Sequence, residues 1–200
     1  KDDFAVDSES VRNLKGFIRR GEAKIACEVC GLLAANVRFL DLPFYEKGRY
    51  RQFRFEDDDV GLLRDLFEEI QPDQLYFTGA WSEPSTVQSV CFEVMRRALS
   101  ELADAQWIKN CSCWLYRSVS QEWDIHEIDM AVPLSPAELA NKIQGIYQHQ
   151  TQRSQVPISG REIRDIWRQA EDCDRRLAEV FDRLGLAEYE AIEGFRRWGV

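Results

Sequence analysis

The segment at residues 79–89, "GAWSEPSTVQS", joins an apolar strand pattern, "QLYFTGA", to a long helical pattern. In open α/β sheets, ligands bind in loops that follow the carboxyl ends of the strands. This loop offers the hydroxyls of Ser82 and Ser85 and the carboxylate of Glu83, but it has no histidine, cysteine or lysine. The segment therefore has the position of an active site without the nitrogen and sulfur ligands that zinc prefers.

Hydrolysis by a serine nucleophile is one chemistry that the loop suggests. Either serine would need a histidine partner, and the chain has only His126 and His149. No glycine pattern typical of a nucleophile elbow surrounds either serine. We therefore expect Ser82 to be a helix N-cap, with Pro84 in the first helical turn.

Four more polar candidates, Asp41, Gln88, Arg117 and His149, lie near predicted strand or helix ends. Arg117 follows a strand pattern, and Gln88 opens the helix after the loop. Asp41 either faces the site or caps the loop that Pro43 begins, and the residues leave this open. His149, in "YQHQTQ", either faces the site or bonds to a carbonyl at a helix end. His126 is expected to have a structural or surface role.

A carboxylate cluster and two pairs of cysteines could also suggest a metal site. The carboxylates of residues 56–59, "EDDD", precede a helical pattern, so we interpret them as a helix cap in a favourable dipole position. "CEVC" and "CSC" lie on a predicted helix and strand, whereas zinc sites use spaced pairs on turns. We expect the six cysteines to be reduced and mostly buried, without disulfides.

Strand patterns alternate with helical patterns, which predicts an α/β fold with a mostly parallel, Rossmann-like sheet and helices on both faces. Residues 37–42, 75–79 and 113–117 are the predicted core strands, because their apolar character is nearly continuous. Residues 7–31 and 186–198 are predicted helices. We expect an α/β domain at residues 1–158 and a helical extension packed on it at 159–200. The inner positions of the first helix are predicted to be Val11, Leu14, Ile18, Ile25 and Val29.

Composition excludes some partners. The net charge of −9 would repel a phosphate backbone, which argues against nucleic acid. No apolar run approaches the roughly 20 residues of a membrane helix, and the first residues do not resemble a signal peptide. We expect a cytoplasmic protein without a membrane partner.

Four blocks together resemble a known family: "LKGFIRRGEAKIACEVCGL", "VRFLDLPFYEKGR", "WLYRSVSQEWDIHEIDMAVPLSP" and "YQHQTQ". They are similar to the PIG-L/LmbE-like de-N-acetylase domain, in the form fused behind a glucosamine-6-phosphate deaminase domain. The resemblance covers residues 11–198. It implies a zinc hydrolase of amino sugars, with ligands from an "HPDD"-type motif and an "HxxH"-type pair.

The chain departs from that family at both metal motifs. No "HPDD" occurs, and the stretch matching "SDPHGTH" reads "SEPSTVQ", with Ser85 and Gln88 in the two histidine positions. Serine and glutamine are poor zinc ligands, so we expect no zinc cofactor. The family's first strand is also missing, and we expect an N-terminal segment or a partner chain to pair at that position.

Three hypotheses follow. The chain is a degenerate deacetylase-like domain that binds an amino sugar or stabilises a fused deaminase domain, or it is an active hydrolase whose metal motif lies upstream. The third is an assembly or oligomerisation module that uses its aromatic, arginine-rich last helix (Tyr189, Phe195, Arg196, Arg197 and Trp198). The candidate residues of the substrate pocket are Asp41, Ser82, Glu83, Ser85, Gln88, Arg117 and His149.

Overall fold

Helices and strands alternate in this computed structural model, which describes residues 8–47, 54–79, 86–117, 123–152, 166–186 and 188–199. The α/β class predicted from the sequence is confirmed. No helix among these residues has the length and apolar character needed to cross a membrane. The helices are α1 (Glu9–Val29), α2 (Pro43–Lys47), α3 (Asp57–Ile70), α4 (Val87–Glu101), α5 (Pro136–Tyr147) and α6 (Ile166–Arg183). The strands are β1 (Gln74–Thr78), β2 (Ser112–Tyr116), β3 (Met130–Leu134) and β4 (Ala191–Trp198).

The described strands form a sheet in the order β1-β2-β4-β3. β1 and β2 are parallel, in register from Gln74↔Ser112 to Thr78↔Tyr116, which confirms two of the predicted core strands. β2 and β4 are antiparallel, from Cys113↔Trp198 to Tyr116↔Phe195. The sheet is therefore mixed rather than mostly parallel.

β1 has a free edge among the described strands. The Asp73 carbonyl and the Gly79 amide both bond to β2, so the odd-numbered residues between them also point their backbone groups at β2. Because successive residues of a strand alternate, the N–H and C=O groups of Gln74, Tyr76 and Thr78 point away from β2. In the described part of the sheet, β1 is the terminal strand, and no neighbour pairs with that side.

The predicted last helix is wrong, because residues 191–198 form strand β4. Phe195 packs edge-on against Tyr76, with ring centroids 5.5 Å apart, and Trp198 packs against Phe92 at 5.8 Å. The same apolar residues also suit a helical pattern, but β2 offers them a hydrogen-bonding edge that local periodicity does not reveal. The assembly hypothesis therefore loses the helix on which it depended.

The predicted strand at residues 37–42 is also wrong. A 3₁₀ turn, Ala34–Asn36, is followed by backbone that forms no strand. A strand requires a hydrogen-bonding neighbour, and no described residue provides one here.

The chain divides into two compact units. The helical unit comprises Lys1–Phe39 and Pro133–Ile192, and the sheet unit comprises Leu40–Val132 and Glu193–Val200. In the helical unit α1 packs against α5 at Gly145, where a Cβ would lie 3.0 Å from the Cys30 sulfur. The core of the sheet unit consists of buried side chains from α2, α3, α4 and β2 and from their connections, notably Phe44, Val60, Phe67, Val94, Met95, Leu99, Leu115 and Trp123.

The orientation of α1 differs from the prediction. Glu22 and Ala26 are its buried residues, whereas Val11, Leu14, Ile18 and Ile25 are exposed. The predicted inner face of α1 is therefore not the face that packs against α5.

A buried ion pair joins α5 to α6 in the helical unit. The Lys142 ammonium lies 2.7 Å from the carboxylate of Asp174, which is 1% exposed. We expect Lys142→Ala to lower the free energy of unfolding by about 2 kcal/mol, because it removes a charged donor from a buried carboxylate. Urea denaturation measures this change. Arg96→Ala breaks an exposed pair with Glu93 and should change stability by less than about 1 kcal/mol. Equal effects of the two substitutions would contradict the prediction.

Candidate active site at the carboxyl edge of the sheet

The parallel strands β1 and β2 end side by side. Thr78 is opposite Tyr116, and the Gly79 amide donates a hydrogen bond of 2.7 Å to the Tyr116 carbonyl oxygen. Arg117, partly exposed, therefore lies next to Gly79 at the carboxyl edge. This is the edge at which open α/β sheets bind their ligands.

α4 begins close in sequence to the end of β1, with exposed Gln88 as its second residue. Its N-cap is Thr86, whose hydroxyl accepts a hydrogen bond of 3.1 Å from the Ser89 amide. The expected N-cap was Ser82, so that prediction is wrong. Ser82, Glu83 and Ser85 themselves lie outside the described residues.

Gly79 is in close contact with Trp123, a residue that the sequence patterns do not single out. A Cβ on Gly79 would lie 2.6 Å and 2.7 Å from two carbons of the indole ring. Trp123 is buried, and the Arg196 guanidinium lies over its ring at 5.8 Å while donating to Glu127 at 2.8 Å. Gly79 at the end of β1 is the sequence feature that could have indicated this contact, because glycine permits close approach of a neighbouring group.

Asp59 fixes the turn that contains Asp41. Its two carboxylate oxygens each accept a hydrogen bond of 2.9 Å, one from the Phe44 amide and one from the Glu56 amide. This capping box confirms the cap interpretation of residues 56–59. Asp59 is fully buried, and Phe44 belongs to the core. The carboxylate therefore anchors a segment 15 residues away in sequence.

Asp41 is exposed and has a left-handed backbone, with φ of 49°. Aspartate adopts this conformation more readily than most residues, because its short polar side chain can bond locally. Asp41 thus marks a sharp turn just before α2. Whether it faces a ligand or caps the turn stays a prediction.

Two ionisable groups near this edge, the Cys91 thiol and the Tyr116 hydroxyl, have raised pKa values. Burial raises the pKa of Cys91, and the Asp59 carboxylate raises it further. Burial also raises the pKa of Tyr116, with a smaller contribution from Cys91. These groups thus lie within electrostatic reach of one another. Neither favours the anionic form of a nucleophile at neutral pH.

All six cysteines are free thiols. Burial raises the pKa of Cys113 to about 12, so its thiolate is scarce at neutral pH. Only Cys113 is buried, Cys30 is exposed and the other four are half-buried, so the predicted burial of the set is wrong.

The two histidines lie away from β1 and β2 in sequence. His149 follows α5 in the helical unit, where its amide donates to the Ile146 carbonyl at 3.2 Å. His149 also helps to lower the pKa of Glu22, although the main cause is a hydrogen bond from Thr151. His126 is exposed in the 3₁₀ turn Ile125–Glu127, consistent with the predicted surface role. Asp41, Gln88, Arg117 and His126 belong to the sheet unit, whereas His149 belongs to the helical unit.

The donor set at the described edge does not fit zinc. Across the described ranges, no group of three or more His, Cys, Asp or Glu side chains is placed to hold a metal ion. Gln88 offers only a neutral amide. Zinc in proteins is bound by imidazole nitrogen, thiolate sulfur or carboxylate oxygen.

One known protein is similar in sequence to nearly the whole chain. No family model matches the chain. It is 40% identical over 197 residues to a putative glucosamine-6-phosphate deaminase-like protein of Bacteroides thetaiotaomicron. That similarity covers 98% of the chain but only 30% of the relative, so the chain corresponds to less than a third of the longer protein.

Solved structures share the fold at low identity. The 4-carboxy-2-hydroxymuconate hydratase of Pseudomonas putida matches with a TM-score of 0.62 at 18% identity, over 92% of this chain and 72% of its own. A triple mutant of a deacetylase from the teicoplanin biosynthetic pathway matches with a TM-score of 0.54 at 18% identity, over 96% and 73%. The same pathway's deacetylase in a complex gives 0.52 at 17% identity, over 96% and 75%. The chain therefore has an α/β fold that known deacetylases and a hydratase also have.

Proposed function

We propose that the chain is the deacetylase-fold part of a longer glucosamine-6-phosphate deaminase-like protein, and that it binds an amino sugar without zinc catalysis. Similarity along nearly the whole chain to a protein of that name supports the proposal that the chain is part of such a protein. The proposal that it binds an amino sugar without zinc catalysis depends on the residues at the carboxyl edge of β1 and β2.

The observation that carries the proposal is an edge that is firmly built but offers the neutral amide of Gln88, rather than a histidine, at the start of α4. Gly79 against Trp123 and Asp59 on the Phe44 amide fix the backbone around the edge. The amide of Gln88 and the guanidinium of Arg117 can donate hydrogen bonds to sugar hydroxyl, acetamido or phosphate oxygens. Such groups recognise a polar ligand without activating water.

Calorimetric titration with N-acetylglucosamine, glucosamine and their 6-phosphates tests the binding. We expect saturable binding of at least one of them, weakened about 5- to 10-fold by Gln88→Ala or Arg117→Ala, since each removes a hydrogen bond worth about 1 kcal/mol. Gln144→Ala and Arg96→Ala are the matched controls, because both side chains are exposed and neither is a candidate site residue. If none of the four sugars binds, the sugar-binding proposal fails.

The purified protein is expected to carry no stoichiometric zinc and to release no acetate from N-acetylglucosamine derivatives. The reason is the ligand count: a catalytic zinc needs three protein ligands, and Ser85 and Gln88 occupy the two histidine positions of the second motif. Metal analysis and an acetate-release assay measure the two properties. The double substitution Ser85→His and Gln88→His should restore no activity unless the "HPDD" segment is supplied as well.

An active hydrolase with its metal motif upstream is the alternative outcome. Zinc and acetate release in a longer form of the protein that includes upstream sequence would support this alternative. About one zinc per chain in the 200-residue protein, lost on substitution of His149 or Glu83, would instead support a rearranged hydrolase.

A further inference from the structure

Residues 123–129, which begin with Trp123, are tied to strand β4. The Asp129 amide donates a hydrogen bond of 2.9 Å to the Phe195 carbonyl oxygen. In return, the Arg197 amide donates one of 2.7 Å to the Asp129 carboxylate. The far end of the segment is therefore fixed on either side of Arg196, the β4 residue between these two partners.

Arg196 itself contacts the segment at two points. Its guanidinium lies over the Trp123 ring, 5.8 Å from the centroid, and its Nη1 donates a hydrogen bond of 2.8 Å to Glu127 Oε1. The other oxygen of Glu127 accepts from the Asp124 amide at 3.2 Å, which caps the 3₁₀ turn directly after Trp123. A cation over an aromatic ring is attracted to it. One side chain of β4 thus holds both the indole and the turn that follows it.

The indole passes this restraint on to the end of β1. Trp123 is 8% exposed, and a Cβ on Gly79 would lie within 2.7 Å of two of its ring carbons. The Gly79 amide in turn donates to the Tyr116 carbonyl oxygen and so joins the ends of β1 and β2. Buried groups are close-packed, so a shift of the ring must displace the chain at Gly79.

We infer that Arg196 and Glu127 are positioning residues for the candidate site, because they hold the Trp123 ring against Gly79 and so fix the carboxyl edge of β1. This role rests on the proposed function for the identity of the ligand, an amino sugar. Neither residue needs to touch that ligand. The last strand of the chain, antiparallel to β2, therefore supports a site to which it supplies none of the seven pocket candidates.

Hydrogen exchange of the Gly79 amide, followed by NMR, tests the restraint without any ligand. Arg196→Gln removes the cation, and Glu127→Gln keeps the shape of its partner but removes the charge. We expect each substitution to accelerate exchange at Gly79 about 3- to 5-fold, the factor expected for loss of a partly exposed cation–π contact or ion pair. The amide of Val94, a core residue of α4 that is 0% exposed, should exchange at its original rate, because local opening does not require global unfolding.

Three further variants isolate the pathway. Arg197→Gln is the matched control, because this exposed neighbour uses its backbone amide rather than its side chain to hold Asp129. It should leave exchange at Gly79 unchanged. Arg196→Lys keeps a cation without the planar fork and should give an intermediate rate. In a Trp123→Leu background, Arg196→Gln should have no further effect, since the ring that carries the restraint is gone.

Sugar titration of the same variants gives a readout that a purely structural role would not move. We expect Arg196→Gln and Glu127→Gln each to weaken binding about 3-fold while Arg197→Gln does not. Unchanged exchange at Gly79, or equal acceleration at Gly79 and Val94, would overturn the positioning role. Weaker binding with Arg196→Gln alone would also overturn it, because Arg196 would then contact the sugar directly. Faster exchange at Gly79 in a protein that binds none of the sugars would refute the proposed function and leave the restraint on β1 in place.

Discussion

Asp59→Ala is expected to lower the free energy of unfolding by about 4 kcal/mol, because it removes the acceptor of two backbone amides from a buried site. Both carboxylate oxygens of Asp59 are used, at 2.9 Å from the Phe44 and Glu56 amides. The substitution also removes the cap of α3 and releases Phe44, a core side chain that is 1% exposed. Urea denaturation followed by circular dichroism measures the loss.

Two further substitutions isolate the carboxylate. Asp58→Ala changes an exposed residue of the same helical turn and should cost less than about 1 kcal/mol, because only a dipole interaction is lost. Asp59→Asn keeps one acceptor oxygen, so its effect should fall between the other two. If Asp59→Ala is as mild as Asp58→Ala, the carboxylate does not anchor the Asp41 turn.

Gly79→Ala is expected to lower the free energy of unfolding by about 3 kcal/mol, at the upper end of the usual cost of overpacking. The new Cβ would lie 2.6 Å from the buried ring of Trp123 and 3.3 Å from the Tyr116 carbonyl oxygen. The ring or the end of β1 must therefore move, and weaker sugar binding should accompany the loss of stability. Calorimetric unfolding and the sugar titration measure the two effects.

A matched glycine and a double-mutant cycle serve as controls. A methyl group added at Gly16, inside α1, would meet no atom within 4 Å, so Gly16→Ala should stabilise the protein by up to about 1 kcal/mol. In a Trp123→Ala background, Gly79→Ala should cost far less than in the natural sequence. An equal cost in both backgrounds would show that the Tyr116 carbonyl, rather than the indole, restricts this position.

Features decided within one or two helical turns could be predicted from the sequence. The cap predicted at residues 56–59 is present. The Ser135–Glu138 capping box, with Pro136 at the first helical position, is equally readable from the sequence, since each cap involves residues three apart. Strands β1 and β2 were also predictable, because both patterns are short and apolar. The N-cap of α4 is a local feature that the prediction missed, because Thr86 rather than Ser82 precedes the helix.

Features that depend on distant contacts could not be predicted. Residues 191–198 are a strand because β2 lies beside them, and residues 37–42 are not a strand because no described residue pairs with them. The contacts of Asp59 with Phe44 and of Gly79 with Trp123 join segments that periodicity treats separately. Of the seven candidate site residues, Ser82, Glu83 and Ser85 lie outside the described residues, so their part in the site stays a prediction.

The edge of β1 that no described strand pairs with bears on how the protein behaves at high concentration. Gln74, Tyr76 and Thr78 present a short ladder of donors and acceptors, and the strand "QLYFT" has no lysine or proline to discourage pairing. Two molecules that both expose this ladder can extend each other's sheets, and such growth depends on concentration rather than on folding stability. Solubility and thermal stability are therefore separate properties of this chain, and a substitution that improves one need not improve the other.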